Sequence, residues 1–444
     1  MQSQVHTEYQ SKRTTHEQLI SELRSPISIA TGNCAAKPCQ FLRALGDHGS
    51  HLAEISLTLT NTFEDQYPIF ARDGVRIRSW FLGPYERNLR RSRNNIEYTP
   101  IQFLDGKRIL DSGSVDPDVY VVMTGPMDDE GYFNLGITSG FEGDWLHHYG
   151  KGSQTRVVIE ANAKMPHIFG LEAHGSHRVH ISQVDNVIDI DDPMMEMPRQ
   201  PPDESDIAIA ERVGDLVEDT ATVQFGIGAL PDAVAARLSE KKELGIHTEM
   251  FGDGCMELVE SGAVTNEHKP EHTGQSIATF AWGTENLYEW IDHNAALRLL
   301  PVWEVNSPMA LARQYRMTSI NSVLQMDLRG QGTAHCLNGR VFSGLGGHFE
   351  HTFGAQLSDG GKSILCLRAA AKVGGKLVSN ILPCLDPRTG VTTPEFVVDW
   401  VVSEYGAVQL KWLDVQDRAN ALLELAHPDF REDLAREIRD TDLF

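Results

Sequence analysis

Along the chain, short runs of β-branched and aromatic residues alternate with segments whose apolar positions recur at helical spacing. Ile27-Ser-Ile-Ala30, His51-Leu-Ala-Glu-Ile-Ser-Leu-Thr-Leu59, Val119-Tyr-Val-Val-Met123 and Arg156-Val-Val-Ile-Glu160 predict strands. Turn-rich or helical stretches separate them, as in sheets joined by crossover connections. Thr15 to Leu23 predicts a short helix, and the polar residues before it predict a loose start. The first half therefore reads as α/β.

Between Asp189 and Asp203, prolines and acids displace periodic apolar residues, which predicts a linker. The expected division is a domain over 1–200 and a second over 201–444, since domains run to about 100–200 residues. Past the linker, Asp206 to Val217 has helical spacing and Ala221-Thr-Val-Gln-Phe225 predicts a strand. Pro231 to Leu238 predicts a helix with proline at its start, and Gly245-Ile-His a further strand. That order is a βαβ unit. The expected fold class is α/β, with two open, largely parallel domains.

No run of about 18 apolar residues exists, and Met1-Gln-Ser-Gln-Val-His-Thr lacks the basic-then-apolar layout of a secretion signal. A cytoplasmic enzyme away from membranes is the expectation. The formal charge of −23 disfavours nucleic acid and anionic membranes as partners, because both draw affinity from clustered Lys and Arg. A small anionic ligand stays open, needing only a few local cations and N–H groups. The six cysteines form neither a C-x-x-C pair nor a zinc spacing, which fits reduced thiols.

Chemistry concentrates in Gly245-Ile-His-Thr-Glu-Met-Phe-Gly-Asp-Gly254, where apolar residues give way to glycines and acids around Glu249. Such a place reads as a strand end opening into a loop, where α/β proteins present reacting groups. Carboxylates can attack activated acyl groups, although an isolated one is more often solvated or capping. Upstream, Gly226-Ile-Gly228 between strand and helix either makes a tight βα turn or lets backbone N–H groups approach a phosphate or pantetheine chain. A nicotinamide fingerprint is incomplete there, lacking its third glycine. Gly344-Leu-Gly346-Gly347 offers another glycine turn.

Two other clusters have blander readings. His174-Gly-Ser-His177-Arg-Val-His180 lacks nearby cysteine and reads as a surface hairpin, so no metal site is expected. Arg87, Arg90, Arg91 and Arg93 fall on a predicted helix, and such clusters are usually a solvated face.

Several segments in order resemble the acetyl-CoA hydrolase/transferase family, especially its 4-hydroxybutyrate CoA-transferase branch. They are Phe225–Ala233, Leu244–Gly254, Ser319–Leu328, Ser343–Gly347, Val402–Gly406 and Ala426–Arg431, with looser likeness in Asp129–Gly136 and Val157–Pro166. The resemblance implies two α/β domains of CoA-transferase type, with the catalytic Glu and the CoA site in the second. Glu249 stands where the family has its catalytic glutamate, which carries acyl and then CoA covalently. Asn306 and the backbone N–H of Gly347 stand where it has oxyanion donors. The CoA contacts implied are Gly226, Ile227, Gly228, Ala229, Leu230, Leu324, Ser343, Gly347 and Lys372. Acyl-CoA and small carboxylic acids are then the partners, CoA being a substrate and not a resident cofactor, and a homodimer the assembly.

The chain departs from the family after its last glycine turn, where a Gln-Val-Asp-Phe-like run is replaced by His348-Phe-Glu-His-Thr-Phe353, and again at Gly330–His335. Transfer of CoA between acids is the first reading. Hydrolysis of the thioester, with water intercepting the same intermediate, is the second. A CoA-binding protein with a lapsed site is the third.

Overall fold

Hydrophobic runs become strands where the alternation predicts them, in a computed structural model that describes residues 2–59, 67–93, 95–150 and 152–440. The chain divides into two units, Met1–Met197 with Thr279–Trp303, and Pro198–Ala278 with Glu304–Phe444. Thr279–Trp303 thus belongs to the first unit although it follows much of the second in sequence.

In the first unit the strands β1 (Ile27–Thr31), β2 (Ile55–Leu59), β3 (Val75–Ser79), β4 (Ile96–Tyr98), β5 (Val119–Thr124), β6 (Arg156–Asn162) and β7 (Asn186–Ile190) form one sheet. Its order is β4-β3-β2-β1-β5-β6-β7, parallel throughout. Every residue of β5 is buried, which is why Val-Tyr-Val-Val-Met-Thr reads as an unbroken apolar run and not as an alternation. Tyr120, Val122, Val157 and Ile159 pack there with Phe133, Phe141 and Trp145.

Two expectations for this unit need correction. Residues 2–12 are not loose but form helix α1 (Gln2–Lys12). Val5 and Tyr9 pack against the core, Lys12 donates to the Ile181 carbonyl at 2.8 Å, and the next residue, Arg13, pairs with Asp189 at 2.7 Å. Because α1 has almost no apolar stripe, periodicity cannot reveal it. The strand expected from His51 begins only at Ile55, with Gly49–His51 in a 3₁₀ turn. Helix α2 (His16–Glu22) starts at a capping box between Thr15 and Gln18.

The second unit has its own sheet of β8 (Thr222–Phe225), β9 (Gly245–Ile246), β10 (Thr318–Ser322), β11 (Lys362–Cys366), β12 (Trp400–Ser403) and β13 (Gly406–Gln409). In the order β9-β8-β10-β11-β12-β13 all neighbours are parallel except β12 and β13. The unit opens with helix α3 (Glu204–Leu216), whose first turn is capped reciprocally by Asp203 and Asp206. Arg368 holds both acids, at 2.7 and 2.6 Å. Helix α4 (Ala229–Leu238) links β8 to β9 and starts two residues before the proline expected to open it. Helix α5 (His348–Ala355) precedes β11.

Candidate active site

Strand β9 is prolonged by two backbone hydrogen bonds, His247 N–H to the Val223 carbonyl at 3.2 Å and Thr248 N–H to the Ile277 carbonyl at 3.0 Å. Glu249 is therefore the first residue beyond the carboxyl end of a strand, the position where open parallel sheets place their ligands. Asn306 donates from Nδ2 to Glu249 Oε2 at 2.5 Å, and the Gly347 N–H donates to the same carboxylate. Three separate stretches of chain thus meet at one carboxyl group.

Burial pushes that carboxyl up to about 7, with the Asn306 and Gly347 hydrogen bonds pulling the other way. Desolvation penalises the charged form, and two donors offset only part of the penalty. Glu249 still keeps part of its surface exposed, whereas Asn306 is completely buried. Gly347 is required by space and not by its dihedrals. A Cβ there would lie 2.1 Å from Glu249 Oε2 and 2.3 Å from Asn306 Nδ2.

Around this group stand buried histidines whose titration is suppressed. His247 bonds the Val305 carbonyl through Nε2 at 2.9 Å, and burial drives its pKa well below the ordinary value. His348 bonds Thr393 at 2.8 Å and His351 the Gly347 carbonyl at 2.9 Å, and burial pushes both down to about 4. The rings are neutral at physiological pH. Lys269, also buried, donates to the carbonyls of Ile246 and Gln275 at 2.9 and 2.7 Å, and burial brings its amine down to about 7. It anchors the strand that leads to Glu249.

The glycine turn lies beside this centre, since Thr248 Oγ1 donates to the Phe225 carbonyl at 3.2 Å. Gly226, Ile227, Ala229 and Leu230 are half-buried and Gly228 is exposed. With φ at +115°, Gly228 occupies backbone space that other residues rarely adopt, and a Cβ at Gly226 or Gly228 would meet nothing within 4 Å. The turn is open toward solvent and ends at the amino terminus of α4. Leu324 follows β10 and bonds the Thr333 carbonyl at 2.7 Å; Ser343 leans on the Ala334 and His335 carbonyls at 3.3 and 3.2 Å. Both are half-buried. Lys372 is exposed on the antiparallel pair Ala370–Val373 and Lys376–Ser379. Among the described contacts none joins Lys372 to Glu249, Asn306 or Gly347.

The other sequence candidates fall elsewhere. Arg87, Arg90 and Arg91 lie on the helix Pro84–Ser92 with Arg93 just past its end; Arg90, Arg91 and Arg93 are exposed, and Arg87 donates to the Leu82 carbonyl at 3.0 Å. The 174–180 segment does not form a hairpin with itself, because Arg178–His180 pairs antiparallel with Tyr132–Asn134. His177 is buried there, and His174 sets its ring edge against Trp303. Among the described residues no group of three or more His, Cys, Asp or Glu is placed to hold a metal, and no helix is long and apolar enough to cross a membrane. All six cysteines are free thiols.

Two family descriptions match this chain, the acetyl-CoA hydrolase/transferase N-terminal domain over residues 1–197 and its C-terminal domain over 283–438. A 4-hydroxybutyrate coenzyme A transferase of Clostridium kluyveri is 33% identical over 437 residues, which is 97% of this chain and 98% of that protein. The chain belongs to the acetyl-CoA hydrolase/transferase family. A succinyl-CoA:cyclohexane-1-carboxylate CoA transferase of Geobacter metallireducens is 32% identical over 443 residues, covering 97% of this chain and 98% of that one. The crystal structure of RipA from Yersinia pestis matches with a TM-score of 0.91 at 32% identity, over 99% of this chain and 100% of that one. Within this family of α/β proteins, His247, His351 and Lys269 are residues that pattern reading passes over. Each is a polar residue that hydropathy alone assigns to the surface and the fold buries.

Proposed function

We propose that the chain, a CoA-transferase of this family, moves CoA between an acyl-CoA and a free carboxylic acid through a thioester formed on Glu249. The observation that carries the reading is the convergence of the Asn306 amide and the Gly347 N–H on the Glu249 carboxylate. Donors aimed at a carboxylate's own oxygen serve whichever steps make its carbon tetrahedral, because the negative charge then develops on that oxygen.

The sequence of bonds follows. A carboxylate oxygen of Glu249 attacks the thioester carbonyl, the C–S bond breaks, and CoA leaves as thiolate from a mixed anhydride. The thiolate attacks the glutamyl carbon, and the C–O bond to the acyl group breaks to release the first acid as its carboxylate. An incoming carboxylate attacks the glutamyl carbon and expels the thiolate. That thiolate then takes the new acyl group from the anhydride and restores Glu249 as carboxylate. Protons balance at every stage without a general acid, which suits a centre ringed by neutral histidines. Attack needs the ionised carboxyl, so kcat/KM rises with pH through about 7.

CoA is assigned to the second unit. The Gly226–Leu230 turn and Gly347 would admit its pantetheine chain, with Leu324 and Ser343 alongside and Lys372 meeting its phosphates. A homodimer in the cytoplasm is the expected state, which light scattering and fractionation test. The test of mechanism is incubation with an acyl-CoA followed by borohydride, which should modify Glu249 alone. An unmodified Glu249 would overturn the covalent path. Thiol release that needs no added acid would turn the assignment to hydrolysis.

A further inference from the structure

Gly347 offers one carbonyl oxygen, and His351 reaches it twice, through its backbone N–H at 3.0 Å and through ring Nδ1 at 2.9 Å. A carbonyl only accepts, so the imidazole proton sits on Nδ1 and the lone pair on Nε2. Nε2 is buried without a hydrogen-bond partner among the described residues, and the residue is 1% exposed. Among the described residues the Nδ1 bond is thus the ring's one directional tie. Gly347 caps α5 and His351 stands on that helix's first turn, so the tie closes the turn against its own cap.

A glycine has no side chain with which to hold its peptide planes, and Gly347 carries a donor on one side of its Cα and this doubly held carbonyl on the other. The two planes meet at φ −97° and ψ 18°, so holding the carbonyl plane restrains the rotations about Cα that would swing the N–H away. We propose that His351, protonated on Nδ1, is a positioning residue that aims the Gly347 N–H at Glu249. The inference rests on the reading of Glu249 as nucleophile. His351 lies in the run His348–Phe353 that follows the glycine turn. Suppressed titration agrees with it, since burial keeps the ring neutral down to about pH 4. Outer-shell partners that orient metal ligands are worth about 10–100-fold, and a loss on the same scale is expected for a group that orients a backbone donor.

The test uses three variants of the full chain, His351→Asn, His351→Gln and His351→Leu. An asparagine amide nitrogen reaches the place of Nδ1, while that of glutamine reaches nearer Nε2. His351→Asn should hold kcat within about threefold, whereas the Gln and Leu variants fall about 10–100-fold with KM for acyl-CoA changed less than about twofold. Parental kcat in the Leu variant, or a loss in the Asn variant equal to that in Gln, overturns the proposal. If the Leu variant does not fold, the Asn and Gln pair decides alone.

A second readout needs no turnover. The Glu249 carboxyl, followed by NMR of 13C-labelled glutamate, should titrate higher in the Gln variant than in the parent and unchanged in the Asn variant. Equal titration in all three also overturns it. Should the parent transfer no CoA with any donor, the nucleophile reading fails separately, and the titration still decides the positioning.

Discussion

Each unit buries carboxylates, and they are handled differently. In the first, Glu142 accepts from the Asn33 N–H and side-chain amide at 3.2 and 2.9 Å and from the Phe141 N–H at 3.2 Å, while Glu160 accepts from His16 and the Phe41 N–H, both at 2.6 Å. Both are completely buried, and burial raises both above the usual carboxylate range. Asn33 lies on the loop after β1, Phe41 in the first turn of the helix Cys39–His48, His16 at the start of α2 and Phe141 just before the helix Glu142–Tyr149, so the carboxylates act as rivets between segments. Glu249 in the second unit has a raised pKa from the same cause but keeps a surface. A raised carboxyl pKa therefore does not by itself mark a catalyst; the proposal for Glu249 rests on its open strand-end position and its converging donors beside that shift.

The comparison breaks most sharply by amide substitution. Glu249→Gln should reduce CoA transfer roughly 10⁴-fold or more while the protein stays folded, because an amide cannot replace the nucleophile. Glu142→Gln should do the reverse, lowering thermal stability by about 1–3 kcal/mol through mismatched buried donors while activity per folded molecule persists. Paired turnover and melting measurements decide, and a folded but inactive Glu142→Gln protein would erase the distinction.

Next in size are the donors. Asn306→Ala should cost roughly 10²–10³ in kcat. Gly347→Ala should cost at least as much, since its methyl would displace the carboxylate it faces. A steady-state loss confined to KM would count against both.

A smaller effect lies in stability against pH. The folded pKa of Glu249, about 7, exceeds its unfolded value near 4.5, so the folded state binds more protons between them and stability falls as pH rises across that window. Glu249→Gln should therefore be the more stable protein above pH 7, by at most about 3 kcal/mol and less for the exposed part, with the difference gone below about pH 4.5. Lys269 runs the opposite way. Its folded pKa of about 7 lies under the unfolded value near 10.5, so its penalty is full below pH 7 and relieved as pH climbs. Lys269→Met should accordingly look less damaging at pH 6 than at pH 9 in denaturant titrations. Smallest is Lys372→Ala, an exposed cation whose removal should raise KM for acyl-CoA only a few-fold and less at high salt.

How far the residues announced this depends on which signal each carries. The buried strand β5 is legible because Val119–Thr124 is buried throughout, and β8 with α4 because a strand pattern, a glycine turn and a helix follow one another. Glu249 is legible as a strand-end acid. Asn306 is not, since Val305-Asn-Ser-Pro308 has no periodicity to mark it, and only family resemblance pointed there. Helix α1 escapes for want of an apolar stripe. His351 and Lys269 escape because hydropathy reads them as surface, while their burial comes from partners distant in the chain or in the turn they close.

The membership of Thr279–Trp303 in the first unit has a consequence for the order in which the protein is made. On the ribosome, the first unit lacks a segment until residue 303 has emerged, and by then Glu249 is already out. Strand β8, interior in the finished sheet, can have β9 on one side but waits for β10 at Thr318–Ser322 on the other. Nascent chains of that length therefore carry an unpaired parallel edge beside Glu249, the kind of edge that recruits wrong partners. Slow translation between residues 249 and 322 should prolong that exposure, and chaperone capture of stalled chains would peak there.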